Sequence, residues 1–234
     1  MIDMGGKIRF NVAKFGAKVA SQVSKFGFGS GNNLPGYVFY KIAGKEALKD
    51  LAHEMSIGPI LITGTNGKTT TTTLLIKLLS ADTKIRKSFE SNTIHAITTG
   101  ILKGDGDLGV FEYGIRNKSY GIPDTVQRLI DPVGVVYTTI SREHSQVAGV
   151  KNPFEEYVDA KSLLSQGMTR GVVISNADDP VTANIACNKR NDLHVNFYGL
   201  AIDSINDIFE SDSPNCPRLS LIHISEPTRR TPIS

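Results

Sequence analysis

At 234 residues the chain can bury one substantial core and has room for one or two domains. Its 40% apolar and 21% charged residues suit a soluble globular protein, and no apolar run approaches the ~20 residues of a transmembrane helix or forms a signal-peptide core. A net charge of +3 without a basic stripe interleaved with aromatics gives nucleic acid no footprint, and two cysteines, Cys187 and Cys216, make no disulfide framework, so a reducing cytoplasm is the expected compartment.

In chain order, residues 7–27 place Ile8, Val12, Phe15, Val19, Val23 and Phe26 about one helical face, with lysines and arginine over much of the rest. Two readings follow. The helix packs that apolar face on the next domain and leaves the basic face in solvent, which is the working expectation, or it makes peripheral contact with an anionic membrane. Residues 26–36 (FGFGSGNNLPG) read as a Gly/Asn/Pro-rich connection. Residues 44–55 read as helical. A strand follows at 58–63, then a helix at 68–80 with Leu74, Leu75, Leu78 and Leu79 at helical spacing. Strands are expected at 84–89, 107–114, 133–140, 171–176 and 193–199. Helices are expected at 93–103, 123–130, 153–166 and just after Asp179, where Pro153 and Pro180 sit at helix entrances. Apolar strands alternating with helices predict an α/β fold. It has an open, mostly parallel sheet with helices on both faces and a short helical N-terminal extension. Ligands on such sheets bind beyond the carboxyl ends of the strands.

The most informative stretch lies at one of those ends. Gly64-Thr65-Asn66-Gly67-Lys68-Thr69-Thr70 joins the strand Ile60–Ile62 to a helix. Glycines let backbone N–H groups approach a polyphosphate, and a helix N-terminus adds partial positive charge. Lys68 would reach the β- and γ-phosphates of ATP, and the Thr69 hydroxyl would ligate Mg²⁺. The spacing G-x-x-G-K-T is shorter than the general phosphate-loop pattern. The competing reading is a glycine turn with a solvated lysine. No guanine-reading N-K-x-D segment is present, which argues against a GTPase.

The shortened form GTNGKTTTT resembles the Mur ligase family, and the resemblance extends over roughly residues 34–200. It implies an ATP-dependent ligase that joins a carboxylate to an amine through an acyl phosphate, in cell-wall precursor synthesis. Glu112, in VFEYG, matches the family's Mg²⁺-binding glutamate; the alternative is a strand-end surface glutamate. His144, in TTISREHSQVAG, matches a histidine that contributes to a second divalent-cation site, although Thr139 and Glu143 stand where Asn and Asp are usual. Tyr157, Ala160, Lys161 and Leu164 fill the pattern Y-x-x-A-K-x-x-L, whose lysine is carbamylated in several members. The alternative for Lys161 is a surface lysine paired with Glu156 or Asp159. Asn176 and Asp179 fill N-x-D-D-P, which helps hold the nucleotide, and an N-cap acid before a proline-started helix is compatible with that role.

The subfamily is open. Residues 29–52 resemble the entry of the MurT-type ligase subunit of lipid II isoglutaminyl synthase, where a hydrophobic strand and helix follow L-P-G. That type implies a glutaminase partner subunit and ammonia as the amine, with a lipid-linked carboxylate. Residues 197–199 and 212–218 look like the approach to its zinc ribbon, but Cys216 alone closes no Zn²⁺ site, so zinc is expected only in a longer protein. FEYGIRNKSYG and SREHSQVAG look closer to amino-acid-adding Mur ligases or archaeal pseudomurein ligases, which act on small-molecule carboxylates and amines. Residues 219–234 look like the translation of a sequencing-library adapter and are set aside as non-native, which makes the chain an expected N-terminal fragment. The expected organisation is a helix and linker at 1–33, an ATP-binding central domain at 34–205, the start of a cysteine-rich segment at 206–218, and that tail. Two rivals stand beside the ligase: another P-loop NTPase, and a fragment that binds nucleotide and joins nothing.

Overall fold

The computed structural model describes residues 4–24, 33–143, 145, 151–188 and 193–200. Among them six strands form one sheet: β1 (Gly58–Thr63), β2 (Ile85–Ser91), β3 (Leu108–Tyr113), β4 (Gly134–Tyr137), β5 (Val172–Asn176) and β6 (His194–Tyr198). Their order is β2-β3-β1-β4-β5-β6, and every pairing is parallel. The helices are α1 (Met4–Ser24), α2 (Leu34–Ala43), α3 (Ala47–Ala52), α4 (Lys68–Leu79), α5 (Ile94–Lys103), α6 (Lys118–Gly121), α7 (Pro123–Ile130), α8 (Pro153–Gln166) and α9 (Pro180–Cys187).

Alternate strand residues feed two cores, as the two-residue period of a strand requires. Leu61, Phe111, Val135, Tyr137 and Val173 join side chains of α2, α3, α5, α7, α8 and α9 in the larger core. Ile62, Val110 and Val136 join Ile76, Leu75 and Leu79 of α4 in the smaller one. Helices therefore cover both faces, but unevenly. Leu74 and Leu78, expected among the apolar residues of α4, are exposed, and Thr72 and Ile76 are buried in their place.

The uneven cover positions the site. The chain leaves β1 through α4 toward the smaller core, whereas it leaves the neighbours β3 and β4 through α7 and α8 toward the larger one. Divergent connections open a crevice at the carboxyl end of β1.

Four expectations change. The strand implied after Leu34-Pro35-Gly36 is the helix α2, with Pro35 in its first turn, and its Gly36 N–H donates to Thr99 Oγ1 of α5 at 2.9 Å. A Cβ at Gly36 would collide with the His95 carbonyl, so close helix packing, not sheet pairing, claims this segment. The helix expected over 44–55 contracts to α3. The strand expected over 133–140 ends at Tyr137, because Thr138 and Thr139 turn to bond the glycine loop. The fourth change concerns α1. It packs through Ala13, Ala17 and Ala20, all buried, while Ile8, Val12, Phe15, Val19 and Val23 are exposed. Small residues let two helix backbones approach closely, so the alanine side of α1 is the one that meets α2.

Candidate functional site

Gly64 and Gly67 shape the loop after β1. Gly64 has φ +150°, and a Cβ there would collide with the Thr138 hydroxyl. Gly67 is left-handed at φ +83° and opens α4. The N-cap Gly67 makes no side-chain cap bond and no acid lies in the first turn of α4, so among the described residues its N–H groups face the crevice without a side-chain acceptor. The loop is held from the β4 side. Thr138 Oγ1 donates to the Asn66 carbonyl at 2.7 Å, and the Asn66 side-chain amide donates to Glu143 at 3.2 Å. Thr65 Oγ1 accepts from the Ser141 N–H at 2.9 Å and meets the Tyr157 hydroxyl at 3.0 Å. Thr70 is exposed in the first turn of α4.

Thr69 and Glu112, 43 residues apart in sequence, meet at this loop: Thr69 Oγ1 donates to Glu112 Oε2 at 2.9 Å. The sheet order causes the contact, because β3 is the neighbour of β1 and Glu112 pairs in register with Ile62. Glu112 is 3% exposed, so it is not a surface glutamate. A buried carboxylate needs more compensation than one hydroxyl provides. Lys68 is half-buried, and its Nζ donates to the Thr65 carbonyl at 2.6 Å. Burial lowers its pKa, and the charge of Glu112 opposes that shift.

Lys161 is 0% exposed. Its Nζ donates to the Gly64 carbonyl at 3.1 Å and the Ile115 carbonyl at 3.0 Å, and lies 4.3 Å from the centroid of the Tyr157 ring. The surface pairing with Glu156 or Asp159 is overturned, because Lys118 pairs with both acids instead, at 3.5 and 3.2 Å. The helical period of α8 turns Tyr157, Ala160, Lys161 and Leu164 inward together. Burial holds the Lys161 amine well below the usual lysine value, and the nearby Lys68 charge adds to the depression.

On the β5 side, Asn176 Oδ1 accepts from the Asp178 N–H at 3.0 Å, and its side-chain amide lies 3.4 Å from Thr139 Oγ1. Asp179 Oδ1 caps α9 by accepting from the Val181 N–H at 2.9 Å. Its Oδ2 accepts from the Ile140 N–H at 2.7 Å, tying α9 to the segment that holds the loop. Both oxygens of Asp179 thus serve the scaffold.

His144 and Cys216 lie outside the described residues, as do the segments 206–218 and 219–234. Sequence reasoning missed Thr138, Tyr157 and Ser141 as loop partners. Thr138 and Ser141 carry no spacing signal, because they meet the loop only through the pairing of β1 with β4. For a divalent cation, the oxygen donors that meet beside the first turn of α4 among the described residues are the Glu112 carboxylate and the Thr69 hydroxyl. Among the described residues no group of three or more His, Cys, Asp or Glu side chains forms a metal cage. A hard oxygen pair of this kind suits Mg²⁺, which keeps several waters and takes few protein ligands.

Comparison with known proteins adds the following. A family model described as the Mur ligase middle domain matches residues 62–218, more than half of the chain. A UDP-N-acetylmuramoyl-tripeptide–D-alanyl-D-alanine ligase from Bacillus subtilis (strain 168) is 30% identical over 146 residues, covering 59% of this chain and 31% of the relative. Its counterpart of the same name from Borreliella burgdorferi is 36% identical over 100 residues, covering 41% of this chain and 21% of the relative. Among solved structures, MurF from Acinetobacter baumannii superposes with a TM-score of 0.57 at 19% identity, covering 73% of this chain and 35% of that one. MurF ligase from Thermotoga maritima, solved in complex with ADP, gives 0.53 at 18% identity, covering 67% and 36%. At these identities the superpositions speak for the fold alone. The chain spans less than a third of the length of the two curated relatives.

Proposed function

This chain belongs to the Mur ligase family through its middle domain, and from that premise we propose that it binds Mg-ATP at the loop 64–70 and serves an ATP-dependent ligase that joins a carboxylate to an amine in cell-wall precursor synthesis. The observation that carries the reading is the Thr69–Glu112 contact at 2.9 Å beside an uncapped helix N-terminus.

Each residue has a task in this reading. The N–H groups of the first turn of α4 receive phosphate oxygens, and Lys68 swings from the Thr65 carbonyl to neutralise the γ-phosphate. Thr69 and Glu112 hold the Mg²⁺. When bound, that ion neutralises charge building on the transferred phosphoryl group. A substrate carboxylate oxygen attacks the γ-phosphorus, the bond to ADP breaks, and an acyl phosphate results. The amine nitrogen then attacks the acyl carbon, phosphate leaves, and the nitrogen loses its extra proton. The Lys68 charge and the backbone donors are in place before charge develops in the first transfer, so little reorganisation is needed.

Lys161 takes a second task. Burial favours its neutral amine, which is the form that adds to CO₂. The nitrogen lone pair bonds to the CO₂ carbon, one C=O electron pair moves onto oxygen, one N–H proton leaves to solvent, and the neutral amine becomes a carbamate anion beside the loop. Asn176, at the end of β5, lies on the side where the nucleotide base would rest. For the amine we favour a dipeptide or amino acid over ammonia, since both curated relatives named above carry D-alanyl-D-alanine in their names. The glutaminase partner implied by the MurT-type resemblance therefore stands second.

Titration of the chain with Mg-ATP and Mg-GTP by calorimetry tests the nucleotide, with preferential ATP binding expected. Phosphate release measured with a UDP-linked peptide carboxylate, with and without D-alanyl-D-alanine, tests the ligase. Release that needs neither substrate would identify a plain NTPase. Binding without release would identify a nucleotide module whose chemistry needs more of the protein, a reading favoured by the short span of the relatives covered.

A further inference from the structure

Helix α1 presents a surface that the nucleotide site does not use. Its alanines face α2, and Phe10 meets Phe39 edge-on at 5.5 Å. On the opposite side Ile8, Val12, Phe15, Val19 and Val23 form a continuous stripe, exposed by 61, 52, 70, 47 and 44%. Their spacing of four, three, four and four keeps all five on one face of the helix. A stripe of this length, on a helix of about 30 Å, exceeds the scattered apolar residues of an ordinary surface.

The charges around it are of one sign. The helix carries Lys7, Arg9, Lys14 and Lys18 and no acid. Lys14 is paired with Glu54 at 2.7 Å, whereas Lys7 and Lys18 have no carboxylate partner among the described residues. Along the flank of the stripe runs a cleft of 770 Å³ between α1, the start of α2 and the end of α5. Lys14, Lys18, Lys103, Ser21 and Ser24 line it. No helix among the described residues is long and apolar enough to cross a bilayer. We propose that α1 lies in the plane of an anionic lipid surface, stripe inward, with Lys18 and the neighbouring cleft at the level of the lipid phosphates. Charge complementarity favours this occupant over a second copy of the chain. Pairing two such stripes would bring the Lys7 and Lys18 rows of both helices together and cost like-charge repulsion. The inference does not rest on the ligase reading.

The chain has no tryptophan, so Phe15→Trp places one reporter on the stripe. With vesicles of equal parts phosphatidylglycerol and phosphatidylcholine, its emission shifts to the blue and the protein sediments with the vesicles. With phosphatidylcholine alone it does neither. Lys7→Gln with Lys18→Gln weakens partitioning at least about tenfold, and raising salt to 1 M does the same. In the otherwise unaltered chain, Phe15→Asp abolishes binding while thermal unfolding and Mg-ATP titration stay unchanged, which shows the fold intact. Equal binding to neutral vesicles, no vesicle binding, or binding that survives Phe15→Asp would each overturn the proposal. Concentration-dependent dimers abolished by Phe15→Asp, without vesicle binding, would assign the stripe to a second copy instead.

Discussion

The carboxyl edge of β1 and the helix α1 answer to opposite kinds of side chain. At the edge, the residues that a short motif singles out are the ones that meet: Thr69 touches Glu112, and Lys161 sits against Gly64. On α1 the residues that stand out in sequence are the ones left outside, and three alanines, with Phe10 against Phe39, make the contact. A glycine loop dictates its own backbone, so its neighbours follow from geometry. A periodic apolar face states only that one side differs from the other, and the partner decides which side packs.

Substitutions can break that contrast. The largest effect is expected from Lys68→Ala, with nucleotide-dependent phosphate release falling about 10²–10³-fold, as for loss of one preorganised charge donor; unchanged Mg-ATP affinity and turnover would end the case for this loop. Glu112→Gln keeps the shape and the Thr69 contact but removes the charge, and should weaken the magnesium dependence of ATP binding by about 10–100-fold, read from titrations at several Mg²⁺ concentrations. On α1, Ala17→Leu should cost about 1–3 kcal/mol in denaturant melts by overpacking the seam with α2. Phe15→Ser, at the far larger residue, should stay within about 0.5 kcal/mol. Equal costs at the two positions would show that the stripe is packed after all.

A pH series sharpens the buried side of the comparison. The folded amines of Lys161 and Lys68 lose their protons below the 10.5 of an unperturbed lysine. Between the folded values and 10.5 the unfolded chain binds more protons, so stability rises with pH and levels off above 10.5. The slope approaches about 1.4 kcal/mol per pH unit for one proton. Lys161→Met should flatten it in carbon-dioxide-free buffer. Labelled bicarbonate should give a carbamate signal by carbon-13 resonance in the parent chain and none in the Lys161→Met variant.

Much of the fold was legible. Strand and helix positions from residue 58 to 199 followed from apolar runs, turn residues and proline-started helices, apart from the four-residue α6. The strand expected after Leu34-Pro35-Gly36 was wrong because Gly36 and Phe39 bury at helical spacing against neighbours that no local pattern reveals. In the candidate site, Lys68, Thr69, Glu112 and Lys161 were legible from motifs. Thr138 was not, because its bonds to the Thr63 and Asn66 carbonyls span more than 70 residues.

By itself the sequence determined the glycine loop, its strand and helix, and the parallel α/β class, since these rest on backbone conformation and short-range periodicity. The tertiary structure alone decided that β3 lies beside β1, which carries Glu112 to Thr69, and that Lys161 is buried. It also decided that α1 turns its alanines inward. Strand order and helix docking depend on how distant surfaces fit, and no local stretch of chain records the shape of its partner.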